Sequence, residues 1–230
     1  DWERDPQEAR RMWAGFLWSP RLYAPLLRAI KSQLLQTPKH YAELGDYRRQ
    51  FANFLTYAAL DPIDGFSTQD YHRAFAALTV EGVQEAAQAL GQALESAADQ
   101  RENFWRHRVR PMWIDVWPKD VSLVSPKASE YLTRTCIAAG DDLDDALDVM
   151  QDWLVPFDHT NYVVNLLSES QLCSKKPLDA LKLLDLILAE TLSYLPLELH
   201  SCLKQMVQAA PSVEADPRYR RLHNLVRQLS

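Results

Sequence analysis

The chain has 230 residues, 47% of them apolar and 24% charged, which excludes a disordered chain and permits one large domain or two small ones. A chain of this size buries roughly 70% of the surface its unfolded form exposes, so no metal or disulfide staple is required. The net charge of −6 argues against indiscriminate binding to nucleic-acid phosphates.

Six glycines among many Ala, Leu, Gln, Glu and Arg favour helix throughout. Pro6 followed by Glu8 to Leu17 predicts a short first helix, and Leu22, Leu26, Ile30 and Leu34 predict a second. A third, from about Tyr41 to Leu60, places Tyr47, Phe51, Phe54, Leu55 and Ala58 on one face. Asp61-Pro62-Ile63-Asp64-Gly65 is a loop. Ser67 caps a helix carrying Tyr71, Phe75 and Leu78. Thr79 caps a long helix with Val83, Ala86, Ala87, Leu90, Leu94, Ala97 and Ala98 inward, running on toward Val109 until Pro111 ends or kinks it. Met112 to Trp117 is a short helix or turn, and 118–125 is the expected linker between an irregular helical layer over 1–117 and a repeat region over 126–230.

Ser125-Pro126 starts the second half as a cap followed by proline at the first helical position, and that helix ends at Gly140. Further helices are predicted at 142–154, 159–173, 177–192, 196–210 and 214–229. Their short links make neighbours antiparallel, and alternate helices start every 33 to 37 residues, the period of helix-hairpin solenoids. Asp145-Ala146-Leu147 with Met150 and Leu154 matches Asp179-Ala180-Leu181 with Leu184 and Leu188 at an offset of 34. The expected fold is therefore all-α, an antiparallel helix-hairpin array that is α-solenoid-like, of the HEAT or TPR kind, in its second half.

Charge is segregated. Residues 1–110 hold 14 acidic and 14 basic residues, whereas Asp141 to Glu169 carries eight carboxylates and no Lys or Arg. Asp141, Asp142, Asp144, Asp145 and Asp148 form a candidate acidic interaction face; Arg218, Arg220, Arg221 and Arg227 form a candidate basic one. Asp141, Asp142 and Asp145 also satisfy the DDxxD spacing that holds magnesium in all-α prenyl-diphosphate enzymes, since Mg²⁺ takes hard oxygen ligands beside substrate phosphates. A second such motif is missing, and the aspartates follow Gly140 directly, which places them in a helix cap and first turn. A magnesium-dependent all-α enzyme is the most distant of three functional readings.

Phe104-Trp105-Arg106-His107-Arg108-Val109-Arg110-Pro111-Met112-Trp113-Ile114-Asp115-Val116-Trp117-Pro118-Lys119, within the segment 101–119, interleaves basic and aromatic residues, a pattern that serves phosphates and stacked bases. Trp105, Val109, Met112, Trp113 and Val116 nonetheless fall on one helical stripe of core character. Arg106, His107, Arg108 and Arg110 are the candidate contacts of a nucleic-acid or nucleotide site, the second reading. Cys136, Cys173 and Cys202 lie far apart without CxxC spacing, which supports neither a zinc site nor a disulfide framework and fits reduced, cytoplasmic thiols. Histidine spacing offers no metal motif, Cys173 and His159 fall at opposite ends of one predicted helix, and glycine-rich phosphate loops and GxSxG are absent. No cofactor and no metal are expected. No run reaches the ~18 uninterrupted apolar residues of a membrane span.

The stretch Phe104-Trp105, Arg108-Val109-Arg110-Pro111, Trp113, Trp117-Pro118-Lys119, then Asp152-Trp153-Leu154, Pro156, His159, Tyr162-Val163-Val164, Leu167 and Glu169-Ser170 resembles the C-terminal helical region of large uncharacterised bacterial proteins. Some of those carry sirtuin-like or NTPase modules upstream and look like anti-phage defence systems. The resemblance covers about residues 100–230 and carries over no catalytic residue. Together with the charged start Asp1-Trp2-Glu3-Arg4-Asp5, it implies a C-terminal piece of a longer protein. The leading expectation is a non-catalytic helical-repeat interaction or sensing module whose partner is another protein, the domains upstream of it, or a second copy.

Overall fold

A computed structural model describes residues 48–229 together with Gln7, Glu8, Arg11, Met12, Pro25 and Arg28. Apart from those six positions, the helices predicted over 8–17 and 22–34 and the first turns of the one predicted from Tyr41 lie outside the described residues. Every regular element among the described residues is helical. None of these helices is long and apolar enough to cross a membrane. The chain divides into two compact units: one runs to Ala93 and includes Arg106–Leu123, the other comprises Leu94–Trp105 and everything from Val124 onward.

In the first unit, helix α1 (Arg48–Leu60) buries Phe51, Phe54, Leu55 and Ala58, the face its periodicity predicts. The loop after it turns through Gly65 at φ +87°, a conformation that costs a side-chain-bearing residue but not glycine. Helix α2 (Thr68–Ala76) starts at a capping box: Ser67 accepts from the Asp70 N–H while the Asp70 carboxylate accepts from the Ser67 N–H. Helix α3 (Val80–Ser96) starts where Thr79 Oγ1 accepts from the Gly82 N–H at 3.2 Å. A Cβ on Gly82 would lie 3.1 Å from Leu78 Cδ2, so glycine permits this close approach. The unit's aromatic core includes Trp117, stacked on Trp113 at 4.5 Å and tilted against Phe75 at 5.9 Å.

The predicted continuation of α3 to Val109 does not occur. Ala98 takes φ +47° inside a 3-10 turn (Ala98–Gln100), and its side chain is exposed rather than inward. The chain resumes as α4 (Arg101–Phe104), passes through a π turn (Trp105–Val109) and enters α5 (Arg110–Asp115). Pro111 explains the π turn. It lacks an N–H, and its ring would meet the carbonyl four residues back, at His107, unless the backbone widens there.

In the second unit, α6 (Pro126–Ala138) begins with Ser125 Oγ accepting from the Ala128 N–H, and Gly140 follows at φ +64°. Then come α7 (Leu143–Met150), α8 (Asn161–Glu169), α9 (Leu172–Lys175), α10 (Pro177–Ile187), α11 (Leu199–Ala209) and α12 (Pro217–Leu229). Helix α6 packs against α7 and α8, α7 against α10, α8 against α11, and α10 and α11 against each other and against α12. Ala146, Leu147 and Met150 are wholly buried, as are Ala180, Leu181 and Leu184, their counterparts 34 residues on.

Two predicted helices are shorter than their periodicity implies. The one predicted over 159–173 breaks at Ser170-Gln171: Ser170 Oγ donates to the Leu167 carbonyl at 2.8 Å, and Gln171 adopts φ +62°. Serine bonding to nearby backbone competes with the helix ladder. The one predicted to reach 192 stops at Ile187, where the Arg221 guanidinium donates to the carbonyls of Asp185, Leu188 and Ala189. A cation is well placed on these terminal carbonyls.

Candidate functional site

The basic and aromatic segment splits by burial. Trp105, Val109, Met112, Trp113 and Val116 are all buried, but the continuous helix expected to carry them is interrupted by the π turn, and Trp105 belongs to the second unit while the other four belong to the first. Arg106, His107 and Arg108 are exposed, and Arg110 is half-buried. Only His107 and Arg108 line a cleft of about 180 Å³ in the first unit, together with Pro62, Phe66, Thr68, Tyr71, Pro111, Met112 and Asp115; Arg106 and Arg110 do not. Tyr71 is buried, its hydroxyl accepts from the Ile63 N–H at 3.1 Å, and its ring stacks on Phe66 at 5.8 Å. Burial pushes the Tyr71 phenol above its ordinary range.

The acidic block is answered within its own unit. Asp141 pairs with Lys175 at 3.9 Å, Asp144 with Lys176 at 3.0 Å and Asp148 with Lys182 at 3.5 Å. The Lys176 ammonium holds the Asp144 carboxyl below the usual carboxylate range, and the Asp144 carboxylate raises Lys176 in return. Asp145 instead accepts from the indole N–H of the wholly buried Trp105 at 3.0 Å. The block does occupy a cap and first turn, with Asp142 at the N-cap of α7 and Asp144 and Asp145 in its first turn, but Asp142 makes no side-chain cap bond. Asp141 and Asp145, the ends of the DDxxD spacing, thus address different partners. Among the described residues, no group of three or more His, Cys, Asp or Glu could hold a metal ion.

The C-terminal arginines separate in the same way. Arg218 makes a bidentate pair with Asp216, at 3.0 and 2.7 Å, which lowers the Asp216 carboxyl. Arg221 binds Asp185 Oδ1 at 2.7 Å besides its carbonyl contacts. Arg220 and Arg227 stay exposed, and Arg227 lines a groove of about 470 Å³ between α11 and α12.

This groove escaped sequence reasoning. His200, Leu203, Lys204, Val207 and Gln208 reach it from α11, Tyr219, His223, Val226 and Arg227 from α12, and Glu214 from the connection. On each helix the spacing is that of a single face held for two turns. Lys204 and Arg227 make no ion pair among the described residues, and the Tyr219 and His223 rings stack at 5.6 Å. The available signal was the mixture of apolar and cationic residues on that face, which counts of apolar residues alone pass over.

The thiols offer no reactive centre. Burial pushes Cys136 up to about 12. Cys173 is also raised, foremost by the neighbouring Cys202 thiol and further by burial, and the same contact lowers Cys202, which donates to the Val164 carbonyl at 3.8 Å; all three thiols are buried, out of reach of a substrate. His159 does not approach them in sequence or partner. It sits at φ +61° with its ring stacked on Tyr194.

No known protein family, curated protein or solved structure matches this chain.

Proposed function

We propose that this chain is a non-catalytic helical-repeat interaction module, α-solenoid-like in its second unit, that takes a helix of another protein in the groove between α11 and α12. The groove is the observation that carries the reading. Its floor is apolar, with Leu203, Val207 and Val226, and two cations without ion partners among the described residues, Lys204 and Arg227, stand on its two sides. Eight residues of helix extend about 12 Å, so the two faces offer a trough of helical length and not a spherical pocket. An amphipathic helix docks in such a trough by its apolar stripe, and carboxylates flanking that stripe complement the rim.

The hairpin array is supported by the separations across which the second unit is tied. Asp141–Lys175 and Asp148–Lys182 are 34 residues apart, and Asn161–Leu197, Asp185–Arg221 and Ser168–Gln205 are 36, 36 and 37 apart. Stacked hairpins of constant length bring such positions together, and the surface they leave open serves docking. The charged blocks read from the sequence as interaction faces are used largely to tie these hairpins. The helix comes from a protein partner, in the reducing cytoplasm that three buried free thiols fit.

The test is fluorescence anisotropy with helix-forming peptides that share one Leu/Phe stripe and differ in Glu or Lys flanks. Glu-flanked peptides are expected to bind about tenfold tighter or more, in keeping with electrostatic complementarity. Lys204→Glu combined with Arg227→Glu should reverse the preference, and Val207→Arg should abolish binding. Equal affinity for both flanks, or a Val207→Arg variant that binds normally, overturns the proposal. So does light scattering that shows a dimer dissolved by Val207→Arg, because the occupant is then a second copy.

A further inference from the structure

The cleft of the first unit combines three things that docking of a helix does not use: a small volume, an aromatic wall, and an arginine beside a histidine in its lining. We infer that it binds a nucleoside monophosphate unit whose base carries an exocyclic amine, with the base in the cleft and the phosphate at His107 and Arg108.

Size limits the ligand. About 180 Å³ falls below the ~300 Å³ at which drug-sized pockets begin, so a single ring system is admitted. The walls suit a flat one. Phe66 is half-buried and backed by the Tyr71 ring at an interplanar angle of 24°; Tyr71 is itself fixed by its bond from the Ile63 N–H. Pro111, Met112 and Pro62 complete the apolar lining. Stacking on such a surface is worth about 1–3 kcal/mol per base.

The π turn supplies the anion contacts. Adjacent side chains on an α-helix diverge by about 100°; a turn closed by i→i+5 bonds holds more residues and so narrows that angle. Within Trp105–Val109, His107 and Arg108 consequently line the same cleft. Both are exposed, and neither makes an ion pair among the described residues. The arginine fork matches two phosphate oxygens.

Specificity comes from the remaining polar groups. Thr68 and the exposed Asp115 complete the lining. A carboxylate accepts from an amine such as cytosine N4 or adenine N6 and has nothing to accept at the O4 of uracil or thymine. Asp115 also repels a bare anion, so the cleft favours a base bearing its phosphate outside over inorganic phosphate alone.

Isothermal calorimetry on the whole chain at low salt tests this with CMP, UMP and a twelve-nucleotide oligo-C. CMP is expected to bind at least fivefold tighter than UMP, the discrimination of one good base contact. Arg108→Ala should weaken CMP about tenfold or more, the loss of a charge-assisted contact, and Asp115→Ala should erase the preference over UMP. All these side chains are exposed, so the variants fold. Val207→Arg, in the other unit, should leave binding intact, which separates this site from the helix-docking groove. Oligo-C bound alone, and lost on Arg108→Ala, makes a single strand the source of the nucleotide and still supports the site. Absence of binding by both CMP and oligo-C, or affinity unchanged by Arg108→Ala, overturns it.

Discussion

Asp145 stands in a run of five residues with four carboxylates, Asp141 to Asp145, yet its partner is an indole N–H forty residues away. The residue types were legible in the sequence, as was the reason to doubt magnesium chemistry. The partners were not, because Trp105, Lys175, Lys176 and Lys182 reach this run only through the fold. The consequence for Asp145 is testable. Trp105 is wholly buried, and a buried donor left without an acceptor costs about 1–3 kcal/mol. Asp145→Ala should therefore lower Tm by about 2–4 °C for each kcal/mol lost, as expected for a chain of this size. Asp145→Asn keeps a carbonyl acceptor and should lose less than half as much. Thermal melts that coincide for the two variants would mean the indole bond does not contribute. The same limit explains the missed groove: Lys204 and Arg227 are ordinary exposed cations in sequence, and only the packing of α11 on α12 places them on opposite sides of one trough.

Helix starts were legible because caps are local. Ser67, Thr79 and Ser125 were read as caps, and each side chain accepts a backbone N–H near its helix start. Helix ends were overrun where the stop is tertiary or subtle. Leu188 to Leu192 is good helix sequence, but Arg221 claims the carbonyls that would continue α10, and nothing local announces a guanidinium 33 residues on. The break between α8 and α9 is local yet easily passed over, since a serine and a glutamine carry it. At φ +62° and ψ +11°, exposed Gln171 occupies a left-handed conformation that costs a non-glycine residue about 1–2 kcal/mol. Gln171→Gly relieves that strain at the expense of roughly 0.5–1 kcal/mol of chain entropy. The net gain should be about 0.5–1 kcal/mol, or a rise in Tm of about 1–4 °C. Gln171→Val, β-branched in the same conformation, should fall below the wild type. If glycine lowers Tm and valine does not, Gln171 is not held left-handed in solution.

Across the whole molecule, an excess of six negative charges is distributed so that carboxylates meet cations inside the fold, and this determines how the protein responds to acid. The ladder from Asp141 to Lys182 has side chains that are 27–76% exposed, and exposed pairs of this kind contribute about 0–1 kcal/mol each; its loss alone should not unfold the chain. Asp216 differs. Its side chain is 16% exposed, it accepts both the Arg218 side chain and the Arg218 backbone N–H at the start of α12, and the Arg218 guanidinium depresses its carboxyl below its ordinary 3.8. A carboxyl depressed by folding releases its proton more readily in the folded state, so its stabilisation is fully present above pH 3.8 and disappears as pH falls through the lower folded value. Asp216→Asn retains an acceptor for the helix start but has no charge to titrate. Urea midpoints measured from pH 7 downward should show wild type ahead of Asp216→Asn by a constant margin until about pH 5, where protonation of an ordinary carboxyl begins. Below 3.8 that margin should shrink steadily as pH falls towards the lower folded value. Parallel curves down to pH 2 would show that the Arg218 pair does not shift Asp216, and that acid unfolds this protein through other carboxylates.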